Sequence, residues 1–120
     1  MAQSTEHRRL LVVEDDPLVR DVLVLMMEEE LDVTATQSAT QALELLTASN
    51  GTRFDVILCD CLLPDGGPGL LLEAAQRLGI PVVMTSGDLK QADKAATGHT
   101  FLAKPFTKAA LLDAIRAVLR

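Results

Sequence analysis

Five short apolar runs punctuate the chain, and between them apolar residues recur at helical spacing. The runs are Leu10-Leu11-Val12-Val13, Leu31 to Thr36 with Val33 at its centre, Val56 to Cys59, Pro81 to Ser86, and Thr100 to Ala103. Continuous apolar runs closed by turn residues suit strands buried on both faces of a parallel sheet. After the first run, Pro17 opens a helix expected through Glu30. Its core face is read as Leu18, Val22, Leu25 and Met26, with Val19 and Leu23. Ser38 followed by Gln41 reads as a capping box. The helix it opens turns Ala39, Ala42, Leu43 and Leu46 inward and breaks at Asn50-Gly51. Leu71, Ala74, Ala75 and Leu78 define a third helix, stopped by Gly79. Asp88 to Thr97 reads as a weak fourth, because its inner positions are Leu89 and three alanines, Ala92, Ala95 and Ala96. Thr107 caps the last, whose stripe is Leu111, Leu112, Ile115, Val118 and Leu119.

Five strands alternating with five helices predict an α/β fold, a parallel sheet covered on both faces. The 120 residues fit a single domain, 1–120, with its core from about residue 9 onward. Only 2% of residues are aromatic, so Leu, Val, Ile, Ala and Met must build that core. The net charge of −6, with Lys and Arg scattered, leaves no basic face for nucleic acid or an anionic membrane. No apolar run approaches a membrane span, and the polar start, residues 1–9, is no secretory leader. Cys59 and Cys61 straddle Asp60 and lack the partners of a zinc site. Cys59 reads as core and Cys61 as near-surface, both reduced, which predicts a cytoplasmic protein.

Chemistry collects where the strands end. Glu14, Asp15 and Asp16 follow the first strand, and Asp60 closes the third, before the turn Pro64-Asp65-Gly66-Gly67. Thr85 and Ser86 close the fourth, and Lys104 follows the fifth. In open α/β sheets, sites form beyond the carboxyl ends of the strands. A parallel sheet therefore brings these groups to one edge. Several carboxylates in one cleft repel and call for a cation. Oxygen donors without a Cys or His cluster favour Mg²⁺. With the Lys104 ammonium and the Ser86 hydroxyl beside them, they could stabilise a phosphoryl group bonded to a carboxylate. The plainer alternative, unrelated caps and turns, has to explain four such coincidences at successive strand ends.

The same residues carry a family resemblance. Leu-Val-Val-Glu-Asp-Asp-Pro at 11–17, Asp60 with Leu63-Pro64 after it, Met84-Thr85-Ser86-Gly87, and Phe101-Leu102-Ala103-Lys104-Pro105-Phe106 recur in order with suitable spacing. Over residues ~9–120 the chain resembles the receiver domain of two-component response regulators, in the CheY-like superfamily. The resemblance implies a flavodoxin-like (βα)5 fold with strand order 2-1-3-4-5. It implies that Asp60 is the phosphoacceptor, that Asp15 ligates Mg²⁺ directly and Glu14 through water, and that the Leu62 carbonyl completes the protein ligands. It places Ser86 as the switch hydroxyl, Lys104 as the phosphate-binding lysine and Phe101 as the switch aromatic. Asp16 and Thr85 are secondary candidates.

Two departures stand out. Pro68 occupies the place where the family has a single glycine, between Gly66, Gly67 and Gly69. Ser86 and Lys104 are 104 − 86 = 18 positions apart, roughly one helical turn short of the family's habit. The fourth helix is therefore expected to be truncated. The resulting expectation is a bacterial phosphoprotein that accepts a phosphoryl group from a histidine kinase or histidine phosphotransfer protein. It would catalyse only its own phosphorylation and dephosphorylation and would act on an unknown output protein, with a weak homodimer left open. No effector domain follows Arg120, so it is either a stand-alone receiver or a piece of a larger regulator. The alternatives are a small aspartyl-phosphate phosphatase and a phosphorylation-independent interaction module. The first is disfavoured because Leu62 stands where such enzymes place a second Asp. The second is disfavoured by the intact acid, Asp, Ser and Lys set.

Overall fold

The computed structural model describes residues 8–48, 53–60, 69–87 and 100–119. Five parallel strands, β1 (Arg9–Val13), β2 (Asp32–Thr36), β3 (Val56–Asp60), β4 (Val82–Ser86) and β5 (Thr100–Ala103), form one sheet in the order β2-β1-β3-β4-β5. This is the expected order. Four helices are described: α1 (Pro17–Met27), α2 (Ala39–Thr47), α3 (Gly69–Leu78) and a last helix, Lys108–Leu119.

Strand position explains strand composition. β3 lies at the centre and is buried at all five positions, which is why it reads as an unbroken run. β2 lies at an edge, reads Asp-Val-Thr-Ala-Thr, and buries only Thr36. Successive side chains alternate between the two faces. Leu11, Val13, Ile57, Cys59 and Met84 meet Ala39 and Ala42 of α2 and Leu71 and Ala75 of α3. Leu10, Val12, Val56, Leu58 and Val83 meet Leu23 and Met27 of α1 and Leu111, Leu112 and Ile115 of the last helix. Each large side chain so buried contributes about 1.5–3 kcal/mol.

The helix ends follow local chemistry. Asp16 caps α1, its Oδ1 accepting the N–H groups of Leu18 at 2.9 Å and Val19 at 3.4 Å, with Pro17 at the first helical position. α1 stops at Met27, short of the expected Glu30, because Glu28, Glu29 and Glu30 would place three negative charges at the negative end of the helix dipole. Ser38 Oγ accepts the Gln41 N–H at 3.1 Å as expected. Gln41 reaches back to the N–H of Gln37 at 3.0 Å, one residue earlier than in a capping box. Gly79, at φ +72°, ends α3 in the left-handed region. Thr107 Oγ1 accepts the Ala110 N–H at 3.0 Å and caps the last helix.

The expected core face of α1 needs correction. Leu18, Val22 and Leu25 are 76%, 49% and 66% exposed. Val19, Leu23 and Met26 of the expected face do pack inward, joined by Met27. The helix is apolar on two stripes about 100° apart, so periodicity alone cannot choose between them. Leu78 of α3, also expected inside, is 39% exposed. In α2 the packed leucines are Leu45 and Leu46, not Leu43. The expected helix over 88–97, the loop around Pro68, Leu62 and Cys61 lie outside the described residues. Among those described, no helix is long and apolar enough to cross a membrane.

Candidate functional site at the carboxyl edge of the sheet

Register brings the strand ends level. Val13 is paired with both Thr36 and Cys59, Asp60 with Thr85, and Ser86 with Ala103. The residue after β1 is therefore Glu14, beside Asp60, and the residue after β5 is Lys104, beside Ser86. The Lys104 N–H donates to the Ser86 carbonyl at 2.8 Å, which continues the ladder into the site.

Lys104 Nζ lies 3.3 Å from Glu14 Oε1 and 3.5 Å from Asp60 Oδ2, so one ammonium faces two buried carboxylates. Glu14 is 2% exposed and Asp60 7%. Glu14 Oε2 accepts the Asp16 N–H at 3.2 Å. Burial holds the Glu14 carboxyl above its ordinary pKa. The Asp60 charge pushes the same way, while the Asp16 N–H and Lys104 pull back. Burial also pulls the Lys104 ammonium down, but the Asp60 and Glu14 charges outweigh it and leave its pKa raised.

Glu14, Asp15 and Asp60 each offer a carboxylate oxygen, all within 4.8 Å of one another. An all-oxygen, charged donor set of this size suits Mg²⁺, which keeps several waters of its own. The residues thus fit the ion that the sequence resemblance implies. Asp16 lies outside this cluster, its carboxylate engaged in capping α1. Thr85 and Ser86 are buried at the end of β4. Phe101 is paired in register with Met84 and packs against the α2–α3 core. Alternation along β4 puts Ser86 on the same face of the sheet as Met84, and hence as Phe101.

Two residues that sequence reasoning did not single out hold the acid loop. Thr36, 3% exposed, donates its hydroxyl to the Val12 carbonyl at 2.9 Å, and its own carbonyl accepts the Glu14 N–H at 3.1 Å. Arg20 donates from its guanidinium to the Glu14 carbonyl at 3.0 Å. A polar residue closing an edge strand was the available signal for Thr36. For Arg20 it was a cation one turn into the helix that follows the acids.

Next to Lys104, a shallow groove of about 530 Å³ runs between Leu18, Val22 and Met26 of α1 and Pro105-Phe106.

The match to known proteins agrees with this edge. Residues 10–116 match the model of the response regulator receiver domain, and the chain belongs to that family of two-component signalling. It is 32% identical over 121 residues to the transcriptional regulatory protein CseB of Streptomyces avermitilis, covering 96% of this chain and 50% of that protein. It is 31% identical over 124 residues to the DNA-binding response regulator MtrA of Mycolicibacterium smegmatis, covering 98% and 53%. The chain thus spans about half the length of these curated relatives. Among solved structures, the receiver domain of the hybrid histidine kinase CckA superposes with a TM-score of 0.75 at 30% identity, covering 93% of this chain and 99% of that one. A receiver domain protein from Clostridium thermocellum, at 24% identity, shares the fold with a TM-score of 0.81, covering 93% and 94%.

Proposed function

We propose that this chain, as a single receiver domain over 1–120, accepts a phosphoryl group on Asp60 from the phosphohistidine of a kinase or phosphotransfer protein. The observation that carries the reading is Lys104 Nζ set between Glu14 Oε1 and Asp60 Oδ2, beside the three-carboxylate cluster. An Asp60 carboxylate oxygen attacks phosphorus, the P–N bond breaks, and the electron pair leaves on the histidine nitrogen, which is protonated to neutral imidazole. Phosphoryl transfer needs little of the protein beyond positioning and charge neutralisation. Mg²⁺ held by Glu14, Asp15 and Asp60, with the Leu62 carbonyl, would supply positive charge to the phosphoryl oxygens. Lys104 exchanges its carboxylate partners for a phosphoryl oxygen. The Ser86 hydroxyl donates to another, and Phe101, on the same face, follows it. This biases a two-state surface that an output protein reads.

The apolar rim of exposed Leu18, Val22 and Pro105 and half-buried Phe106 adjoins Lys104, so a donor protein seated there presents its histidine to Asp60. The relatives' names refer to transcription and DNA binding, and this chain matches about half of each. Its net charge of −6 supports protein contact, not nucleic-acid contact, as its own output, in the cytoplasm. Incubation with Mg²⁺ and a small phosphodonor, read by intact mass, tests the proposal. One phosphoryl group is expected on the wild type and none on Asp60→Asn. Equal labelling of both would refute it.

A further inference from the structure

We propose that Arg20 is a positioning residue for the metal-binding acid loop, an inference that rests on the Mg²⁺ reading of Glu14, Asp15 and Asp60. Among the described residues no hydrogen bond or ion pair fixes the Asp15 carboxylate, although its oxygen belongs to the three-carboxylate cluster. The direction of Asp15 is therefore set by the backbone on either side of it. That backbone is held at three points. The Glu14 N–H donates to Thr36, the Asp16 N–H donates to Glu14 Oε2, and the Glu14 carbonyl, which opens the peptide into Asp15, accepts from the Arg20 guanidinium.

Glu14 is nearly fully buried, one position beyond the β1 strand. A carbonyl in that position needs a partner, and the guanidinium provides it. The Arg20 N–H donates to the Asp16 carbonyl at 2.8 Å, the first backbone bond of α1, so the side chain leaves the helix one turn beyond the acid loop. Groups behind metal ligands commonly set affinity through ligand orientation.

The sign of the effect separates this role from a simple charge effect. Arg20 is a cation hydrogen-bonded to the Glu14 carbonyl, so by Coulomb repulsion of Mg²⁺ alone its removal would tighten binding. As a positioning residue, its removal weakens binding, because the acid loop loses the clamp on the peptide before Asp15. The test is Mg²⁺ titration of wild type, Arg20→Met and Arg20→Lys, followed by the amide shifts of residues 14–16, with hydrogen exchange measured in the absence of metal. Arg20→Met is expected to bind Mg²⁺ about tenfold more weakly. Arg20→Lys, which keeps one donor and the charge, is expected to fall between the two. In Arg20→Met, Glu14 and Asp16 amides are expected to exchange faster while Val12 and Leu58 amides keep their protection, which distinguishes a local clamp from general unfolding. Equal or tighter Mg²⁺ binding by Arg20→Met, or unchanged exchange at Glu14 and Asp16, overturns the inference. A wild type with no Mg²⁺ response overturns the metal reading itself, and this inference with it.

Discussion

Halfway along the sheet, the buried side chains are all apolar. At its carboxyl edge they are Glu14, Thr36, Asp60, Thr85 and Ser86, and these are all the buried polar residues among those described. Both regions belong to the same strands. In β3, Ile57 and Leu58 are 0% and 1% exposed, and Asp60, two positions beyond Leu58, is a carboxylate 7% exposed. Apolar burial in the middle is favourable by its area. Burial of like charges at the edge is unfavourable until something neutralises them. Lys104 does part of this, but one ammonium faces two carboxylates, with a third in Asp15. The middle of the sheet thus holds the fold, and among the described residues the edge gathers more carboxylates than the one ammonium set between them, which makes it receptive to a cation.

Substitutions within one strand are the most direct way to break that contrast. Leu58→Ala should lower stability by about 2–5 kcal/mol, through lost burial and the cavity left behind. Asp60→Ala, two residues away, should raise the melting temperature in the absence of Mg²⁺, because it removes one of the repelling charges. Thermal melts of both variants check this. If Asp60→Ala melts well below wild type, Asp60 is a structural partner of Lys104 and the edge is not strained.

Lys104 should produce the next largest effect. Removing it takes away the ammonium that Glu14 and Asp60 share. The cost should lie between the ~0–1 kcal/mol of an exposed pair and the ~3–5 kcal/mol of a fully buried one broken on one side. Lys104→Ala should therefore keep a native circular dichroism spectrum at 25 °C but melt lower, with part of the loss restored by Mg²⁺. It should also accept a phosphoryl group without the accompanying amide shift changes around Ser86 and Phe101. The full pattern of phosphorylation-induced shifts in this variant would contradict the role assigned to the lysine.

A smaller effect of opposite sign is expected at Glu14. Burial raises its folded-state pKa above the ordinary value of 4.5. For an acid shifted this way, the stabilising contribution is present below the unfolded pKa and is lost as pH rises through the folded one. Metal-free wild type should thus lose stability relative to Glu14→Gln as pH rises above 4.5, and the variant should melt higher at pH 7 while binding Mg²⁺ more weakly. Melting curves across that range would sink the argument if Glu14→Gln were the less stable protein at pH 7.

The sequence made the centre of the molecule legible because strands buried on both faces leave no ambiguity. Val56–Asp60 and Val82–Ser86 read correctly to within a residue. The strand-end chemistry was legible for the same reason, since the register of a parallel sheet carries Glu14, Asp60, Ser86 and Lys104 to one edge. Orientation about a helix axis was harder to read. α1 has two apolar stripes, and only packing against the sheet and the last helix decided that Met27 goes in with Leu23 while Leu18, Val22 and Leu25 stay out. The Arg20 clamp was harder to read, because a cation one turn into the helix does not by itself reveal that its partner is a backbone carbonyl.

That second stripe gives the smallest expected effect on stability, and it separates fold from function most sharply. Leu18 and Val22 are exposed, so replacing them removes little buried area. Leu18→Ser with Val22→Ser should change stability by no more than about 0.5 kcal/mol per site. Neither residue touches the carboxylate cluster, so the rate of labelling by a small phosphodonor should match wild type. A phosphohistidine protein is different, because it must rest on the surface beside Lys104 while its histidine reaches Asp60. An apolar contact of that kind fails when its central residues become polar. Transfer from a protein donor should therefore slow by about tenfold or more, a loss of roughly 1.4 kcal/mol in the encounter. The effect should appear in the dependence on donor concentration and not in the maximal rate. Equal slowing with both donors would place Leu18 and Val22 in the chemistry of the site. Equal speed with both would move the donor's seat away from α1.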